Sequence, residues 1–341
     1  MNISHAWILV GPTAVGKTAV AQHLAACSGA DILSADAMLV YRGMDIGTAK
    51  PTPAERGNVR YLGIDFVAPD QPFSVGAWLE CVRAQCAAVA PGHAAADAAT
   101  APTGEAARVP AANDLMVVGG TGLYLRALTT GLDTTAADPE QRRHWQERLA
   151  HEGLDALRRE LARRAPDAAA GLADPDNPRR VIRALEHLDA YGALPAGWHD
   201  APRPRAVGLL LPRSALHARI AARVEQMFAS GLLDEVAALR KRFPSWAAPS
   251  TPGDSPTTFT ARMAIGYTEV CDLLDGKLTP AQAKAQIVVR TRQLAKRQET
   301  WFRHQADVAW VEIAPDEPVA SVAVRVLATW RQHGPTPIQL S

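Results

Sequence analysis

Cysteine is scarce and scattered in this chain. Cys27, Cys81, Cys86 and Cys271 are its four cysteines, and they show neither CxxC spacing nor paired clusters, which argues against a disulfide framework or a thiolate zinc site. They read as reduced, mostly buried thiols of a reducing compartment. Long apolar runs are missing too. No stretch approaches the ~18 apolar residues of a membrane-spanning helix, and the opening MNISHAWILVGPT lacks the charged start and long apolar core of a secretion signal. The expectation is a cytoplasmic protein with no membrane partner. An excess of either charge is also absent: the formal net charge is +1, so any surface that attracts a polyanion must be local.

What is present is a pattern of short apolar runs separated by helical stretches. Trp7–Val10, Asp31–Ser34 and Leu115–Val118 each end in glycine or small polar residues, and Ala206–Leu211 follows much later. This predicts strands of a parallel sheet in a doubly wound α/β core. Between the third and fourth runs, Asp138–Tyr191 is rich in Arg, Glu, Ala and Leu at helical spacing, which predicts an all-helical insertion. Further helices are expected through Ala215–Arg242, Tyr267–Asp275 and Ala281–Arg303. Pro91–Asn113 and Phe243–Phe259 have the composition of poorly ordered loops. The expected division is a core over 1–135 (with the low-complexity loop 91–113), an insertion over 136–200, a second core part over 201–315 and a tail over 316–341.

The sharpest local signal is Gly11-Pro12-Thr13-Ala14-Val15-Gly16-Lys17-Thr18, a match to GxxxxGK[ST]. It follows a predicted strand and precedes the helical run AVAQHLAA, the context such a loop requires. Its glycines let backbone N–H groups turn inward, and the helix N-terminus adds positive potential. Lys17 supplies a point charge, and the Thr18 hydroxyl is placed to ligand Mg²⁺. The fold class is therefore α/β, a P-loop NTPase-like parallel-sheet core with an all-helical insertion domain. A diphosphate or triphosphate is expected here, though the motif does not say which. In an open parallel sheet the carboxyl ends of neighbouring strands converge on one crevice, so Asp36 and Thr121 should lie beside the loop. Standing alone, Asp36 would read as a Mg²⁺ ligand or a helix cap, and Thr121 as a capping hydroxyl.

They do not stand alone. The series GPTAVGKT, SADAMLVYRGMDIGTAKP, VVGGTGLYLRAL, RRVIRALE, AIGYTEV and TRQLAKRQETWFR resembles the tRNA dimethylallyltransferase family in order, wording and approximate spacing, discontinuously from Ile8 to Arg303. The resemblance implies transfer of the dimethylallyl group from dimethylallyl diphosphate to N6 of the adenosine 3′ of the anticodon, with the diphosphate at the P-loop and Mg²⁺ on Thr18. It implies Asp36 as general base and Thr121 as a contact to adenine and donor. The tRNA anticodon stem-loop would meet the segment Asp36, Ala37, Met38 and Leu39, then Arg142, and Arg179, Arg180, Val181, Ile182 and Arg183 of the insertion. Further tRNA contacts implied are Arg262, Met263, Gly266 and Tyr267, and Lys296, Arg297, Gln298, Trp301 and Arg303. A monomer is expected.

Two departures stand out. Ala37 occupies a position where the family often has serine. Met263 stands where many relatives carry arginine, with Arg262 one residue earlier, so either Arg262 takes over or another cation reaches the diphosphate. A P-loop kinase is the alternative reading. A GTPase-like switch would want an NKxD segment, and none is present.

Overall fold

The computed structural model describes residues 4–88, 110, 114–131, 138–172, 174–193, 202–244 and 260–340. The chain divides into two compact units, one formed by Met1–Leu132, Pro202–Ala248 and Phe259–Ser341, the other by Asp133–Ala201 and Pro249–Thr258.

The larger unit is built on a sheet in the order β3-β2-β4-β1-β5-β6, all parallel. Its strands are β1 (His5–Val10), β2 (Asp31–Ala35), β3 (Tyr61–Leu62), β4 (Leu115–Gly119), β5 (Arg205–Leu210) and β6 (Asp307–Glu312). A seventh, β7 (Thr336–Pro337), pairs antiparallel with the start of β1. Side chains alternate across a strand, so Ala6, Ile8 and Val10 enter one apolar cluster while Trp7 and Leu9 enter the other. That double burial explains why β1 reads as a continuous apolar run. The first cluster is covered by α3 (Val75–Ala88), α4 (Gly122–Thr130), α10 (Leu232–Arg242) and α11 (Tyr267–Leu274). The second lies under α1 (Lys17–Ser28), α9 (Arg213–Ala229) and α13 (Val319–His333). The long helix α12 (Pro280–Gln305) starts at a capping box between Thr279 and Gln282, with Pro280 in its first turn.

The smaller unit holds α5 (Pro139–Glu152), α6 (Leu154–Arg164), α7 (Pro166–Ala170) and α8 (Pro178–Tyr191), with α2 (Pro53–Arg56) belonging to the larger one. Its core is Trp145, Leu157, Leu161, Val181, Ile182, Leu185 and Leu188, an apolar stripe at helical spacing. No helix among the described residues is long and apolar enough to cross a membrane.

Three expectations are corrected. The strands β3 and β6 were not expected: β3 has two residues, too few for a pattern, and β6 is an edge strand with polar ends, DVAWVE. The segment 316–341 is not a tail. Val322, Ala323, Val326 and Trp330 of α13 pack into the core, and the Trp330 indole N–H donates to the Ile8 carbonyl at 3.1 Å. The helical stretch Ala215–Arg242 is two helices, broken at Ser230-Gly231, where Gly231 takes φ 96°. The loop readings for Pro91–Asn113 (Pro110 apart) and for most of Phe243–Phe259 lie outside the described residues.

Candidate active site

The P-loop joins β1 to α1, on the strand where the sheet order reverses, which is where open α/β sheets bind ligands. Gly11 has φ 143°, and a Cβ there would meet the Leu209 carbonyl oxygen at 2.8 Å, so glycine is required by both conformation and space. Lys17 folds back over its own loop, donating to the carbonyls of Gly11 at 2.9 Å and Pro12 at 2.8 Å. Burial lowers its pKa to about 8, against the opposing pull of Asp36 and with a smaller push from Arg223.

Around the loop opens a cavity of about 820 Å³. Lys17, Thr18, Ser34, Asp36, Arg219 and Arg223 supply much of its polar lining. Asp36 follows β2 directly, and its Oδ1 accepts the Met38 N–H at 2.8 Å in a local turn. Thr121 follows β4 and begins α4, but its hydroxyl does not cap that helix; it accepts the Ala37 N–H at 3.2 Å. The Thr121 N–H in turn donates to the Ala35 carbonyl at 3.2 Å. Two strand ends are thereby clamped together beside the phosphate loop, as parallel-sheet topology predicts. Gly119 has no room for a Cβ against Ala35, which keeps β2 and β4 in this close register.

Sequence reasoning missed the two arginines of α9. Arg219 donates to the Val15 carbonyl at 3.1 Å, and Arg223 to the Thr48 carbonyl at 3.2 Å. Burial lowers the Arg223 pKa while Asp36 raises it, which is the signature of a guanidinium taken into the crevice. Their i,i+4 spacing on HARIAARV was the available signal, since such a pair shares one helix face. Neither Arg262 nor Met263 lines this cavity, whereas Arg219 and Arg223 do. Met263 instead offers its carbonyl to Arg290, which also pairs with Glu269.

The segment DIGTAKP is a scaffold beside the crevice. The Glu235 carboxylate accepts the N–H groups of Asp45 (3.0 Å), Ile46 (2.7 Å) and Gly47 (3.3 Å), and the Tyr267 hydroxyl at 2.6 Å. Buried Lys50 donates to the Tyr41 carbonyl, Asp45 and Asp65, each at 2.7 Å. Tyr267 is therefore not an RNA-facing side chain: it is fully buried, and burial and then Glu235 raise its pKa. Gly266 starts the same helix α11, its N–H bound to Glu269 at 2.8 Å.

The run Lys296–Arg303 splits between faces of α12. Gln298 accepts the Thr13 N–H at 2.8 Å and donates to the Gly120 carbonyl at 3.1 Å, and the Trp301 ring fills the space that a side chain at Gly122 would need. Lys296, Arg297 and Arg303 are exposed. In the insertion, Val181 and Ile182 are core residues and present no surface to RNA. Arg142 holds buried Glu186 with two bonds, 2.8 and 3.2 Å, and Arg183 reaches the same carboxylate at 3.3 Å. Arg179 and Arg180 are exposed.

Fold and site together define an α/β protein whose GxxxxGK[ST] loop lines a cavity beside a strand-end carboxylate. The family model described as IPP transferase matches residues 39–96 and 101–305, and the isopentenyl transferase model matches 4–65. A tRNA dimethylallyltransferase from Azoarcus sp. is 40% identical over 339 residues, covering 94% of this chain and 96% of that one. One from Anaeromyxobacter sp. strain K is 41% identical over 328 residues, with the same coverage. Among solved structures, the tRNA isopentenylpyrophosphate transferase of Bacillus halodurans is 30% identical, with 97% of this chain and 98% of that chain covered and a TM-score of 0.57. The chain belongs to the IPP transferase family.

Proposed function

We propose that the protein transfers the dimethylallyl group of dimethylallyl diphosphate to N6 of the adenosine immediately 3′ of the anticodon in tRNA. The carrying observation is that Asp36 shares one cavity with Lys17, Thr18 and Arg223, with the Thr121 hydroxyl bonded to the residue after it. The names of the relatives supply the substrate class.

Adenine N6 is a poor nucleophile because its lone pair is delocalised into the ring. It attacks the allylic C1; the bond from C1 to the diphosphate oxygen breaks with its electron pair leaving on oxygen, and the N6 proton passes to the Asp36 carboxylate. Lys17, Arg223 and the inward N–H groups of the P-loop stabilise the charge that grows on the leaving diphosphate. The residues fit Mg²⁺: the Thr18 hydroxyl and the Asp36 carboxylate are hard oxygen donors on one cavity, and the Ser34 hydroxyl lining it is buried without a partner. Bound on Thr18, the ion would neutralise diphosphate charge. The target base must leave its stack in the anticodon loop to enter the crevice, and exposed Arg179 and Arg180 are suited to backbone phosphates.

The test is incubation with dimethylallyl diphosphate, Mg²⁺ and unmodified tRNA, followed by nucleoside mass analysis. One dimethylallyl unit on adenosine is expected, and ATP in place of the donor should not be turned over. Productive ATP turnover with no prenylated adenosine would overturn the reading.

A further inference from the structure

A second cavity, of about 780 Å³, lies at the carboxyl ends of β5 and β6 and shares no lining residue with the donor crevice. Its floor is apolar, including Leu211, Leu216 and Ile313, and its rim is charged. Five cations line it against three carboxylates. Two of those carboxylates are already engaged, Glu299 with Arg303 at 2.8 Å and Glu317 with Arg325 at 3.0 Å, which leaves Glu312. Arg213, Arg292 and Lys296 make no side-chain hydrogen bond or ion pair with a described residue, and the Arg292 Nε is buried without any acceptor. Burying part of a guanidinium without a partner is costly, so this arrangement is poised for an anion. His217 stands among them. Burial, with Arg292 and Arg213 beside it, lowers its pKa, so at neutral pH it adds a hydrogen-bonding edge and no charge.

The position of the cavity says which anion. Arg292, Lys296, Glu299 and Arg303 line it at i,i+3 and i,i+4 spacing along one side of α12. From another side of the same helix, Gln298 accepts the N–H of Thr13, which lines the crevice, and donates to the Gly120 carbonyl. The two sites thus face different sides of one helix, whose diameter is ~10 Å. A nucleic acid strand that delivers a base to the crevice carries its neighbouring phosphates over that distance.

We propose that this second cavity is a backbone-phosphate pocket for RNA, in which Arg213 and Arg292, beside the Lys296 already expected to meet tRNA, hold a phosphodiester of the strand flanking the base in the crevice. The proposal rests on the tRNA reading above. The test compares the wild type, R213A/R292A and R213K/R292K by fluorescence anisotropy with an anticodon stem-loop RNA across a KCl series. Donor affinity, AMP binding and thermal midpoint are measured in parallel. The double Ala variant should bind RNA roughly tenfold more weakly, with a log–log salt slope shallower by about one to two. Its donor affinity and melting should stay at wild-type values, and the double Lys variant should keep most of the slope. A double Ala variant that melts normally and binds RNA with unchanged affinity and slope overturns the pocket alone. Loss of AMP binding with RNA affinity intact would also overturn it, by assigning the cavity to a free nucleotide. A wild type that neither binds nor prenylates the stem-loop would overturn the parent reading and this one with it.

Discussion

Thr13 and Gln298 stand 285 positions apart and are joined by a 2.8 Å hydrogen bond, from the N–H of the phosphate loop to the side-chain oxygen of α12. The other end of the same amide donates to the Gly120 carbonyl, so one side chain sets the spacing between the loop and the end of β4. Gln298→Ala removes both bonds, a loss of about 1–3 kcal/mol, and should raise the donor KM roughly tenfold. Gln298→Glu keeps the acceptor for Thr13 and loses the donor to Gly120, so its KM should fall between the two. If the Ala variant weakens RNA binding and leaves the donor KM alone, Gln298 is an RNA contact and not a brace.

Lys17 makes ligand binding sensitive to pH. Its pKa is brought down to about 8 in the ligand-free protein, while an arriving diphosphate favours the charged form. Donor binding should therefore take up protons at pH above about 8, and affinity should fall as pH rises further. For folding the sign is the opposite. The unfolded chain holds the Lys17 proton up to its ordinary 10.5, so without ligand this group makes the protein more stable as pH rises from about 8 towards 10.5. Calorimetry of pyrophosphate binding in buffers of differing ionisation enthalpy would detect the uptake; equal heats in all of them would refute it.

Asp36→Asn preserves size and the acceptor for the Met38 N–H but cannot take a proton. As general base Asp36 should contribute ~10²–10⁴-fold, so single-turnover prenyl transfer should fall by that order with tRNA affinity nearly unchanged. Near-normal single turnover would remove Asp36 from the role of base. Rescue by extra Mg²⁺ would make it an organiser of the ion.

Glu235 and Tyr267 separate scaffold from RNA contact. Glu235→Ala strands the part-buried N–H groups of Ile46 and Gly47 and the buried Tyr267 hydroxyl, each costing about 1–3 kcal/mol when unpaired, and should lower the melting temperature markedly. Tyr267→Phe loses one bond, should cost about 1 kcal/mol, and should leave RNA affinity unchanged. A clear drop in RNA affinity for a normally melting Tyr267→Phe protein would restore Tyr267 to the interface.

Trp330→Ala tests the C-terminal helix. Trp330 is 1% exposed and tied to β1, so its truncation should cost about 3–5 kcal/mol in chemical denaturation, whereas a residue of a loose tail would be silent.

The phosphate loop was legible in the sequence because its chemistry is contiguous: eight neighbouring residues carry the glycine conformations, the cation and the helix start. Four of the five longer strands were legible for a similar reason, since burial on both faces writes itself into consecutive apolar residues; the edge strand β6 carries no such run. Asp36 and Thr121 could be placed side by side because a parallel sheet brings its carboxyl ends together whatever the loops do. Tertiary structure alone decided which distant side chains complete the site. Arg223 enters the crevice because α9 packs against the second apolar cluster, and Gln298 reaches Thr13 because α12 crosses the strand ends. It also withdrew Tyr267, Val181 and Ile182 from the surface, since a residue type matches a motif equally well in a core and at an interface. Those outcomes depend on how helices far apart in the chain dock on one sheet, and no local run of residues carries that information.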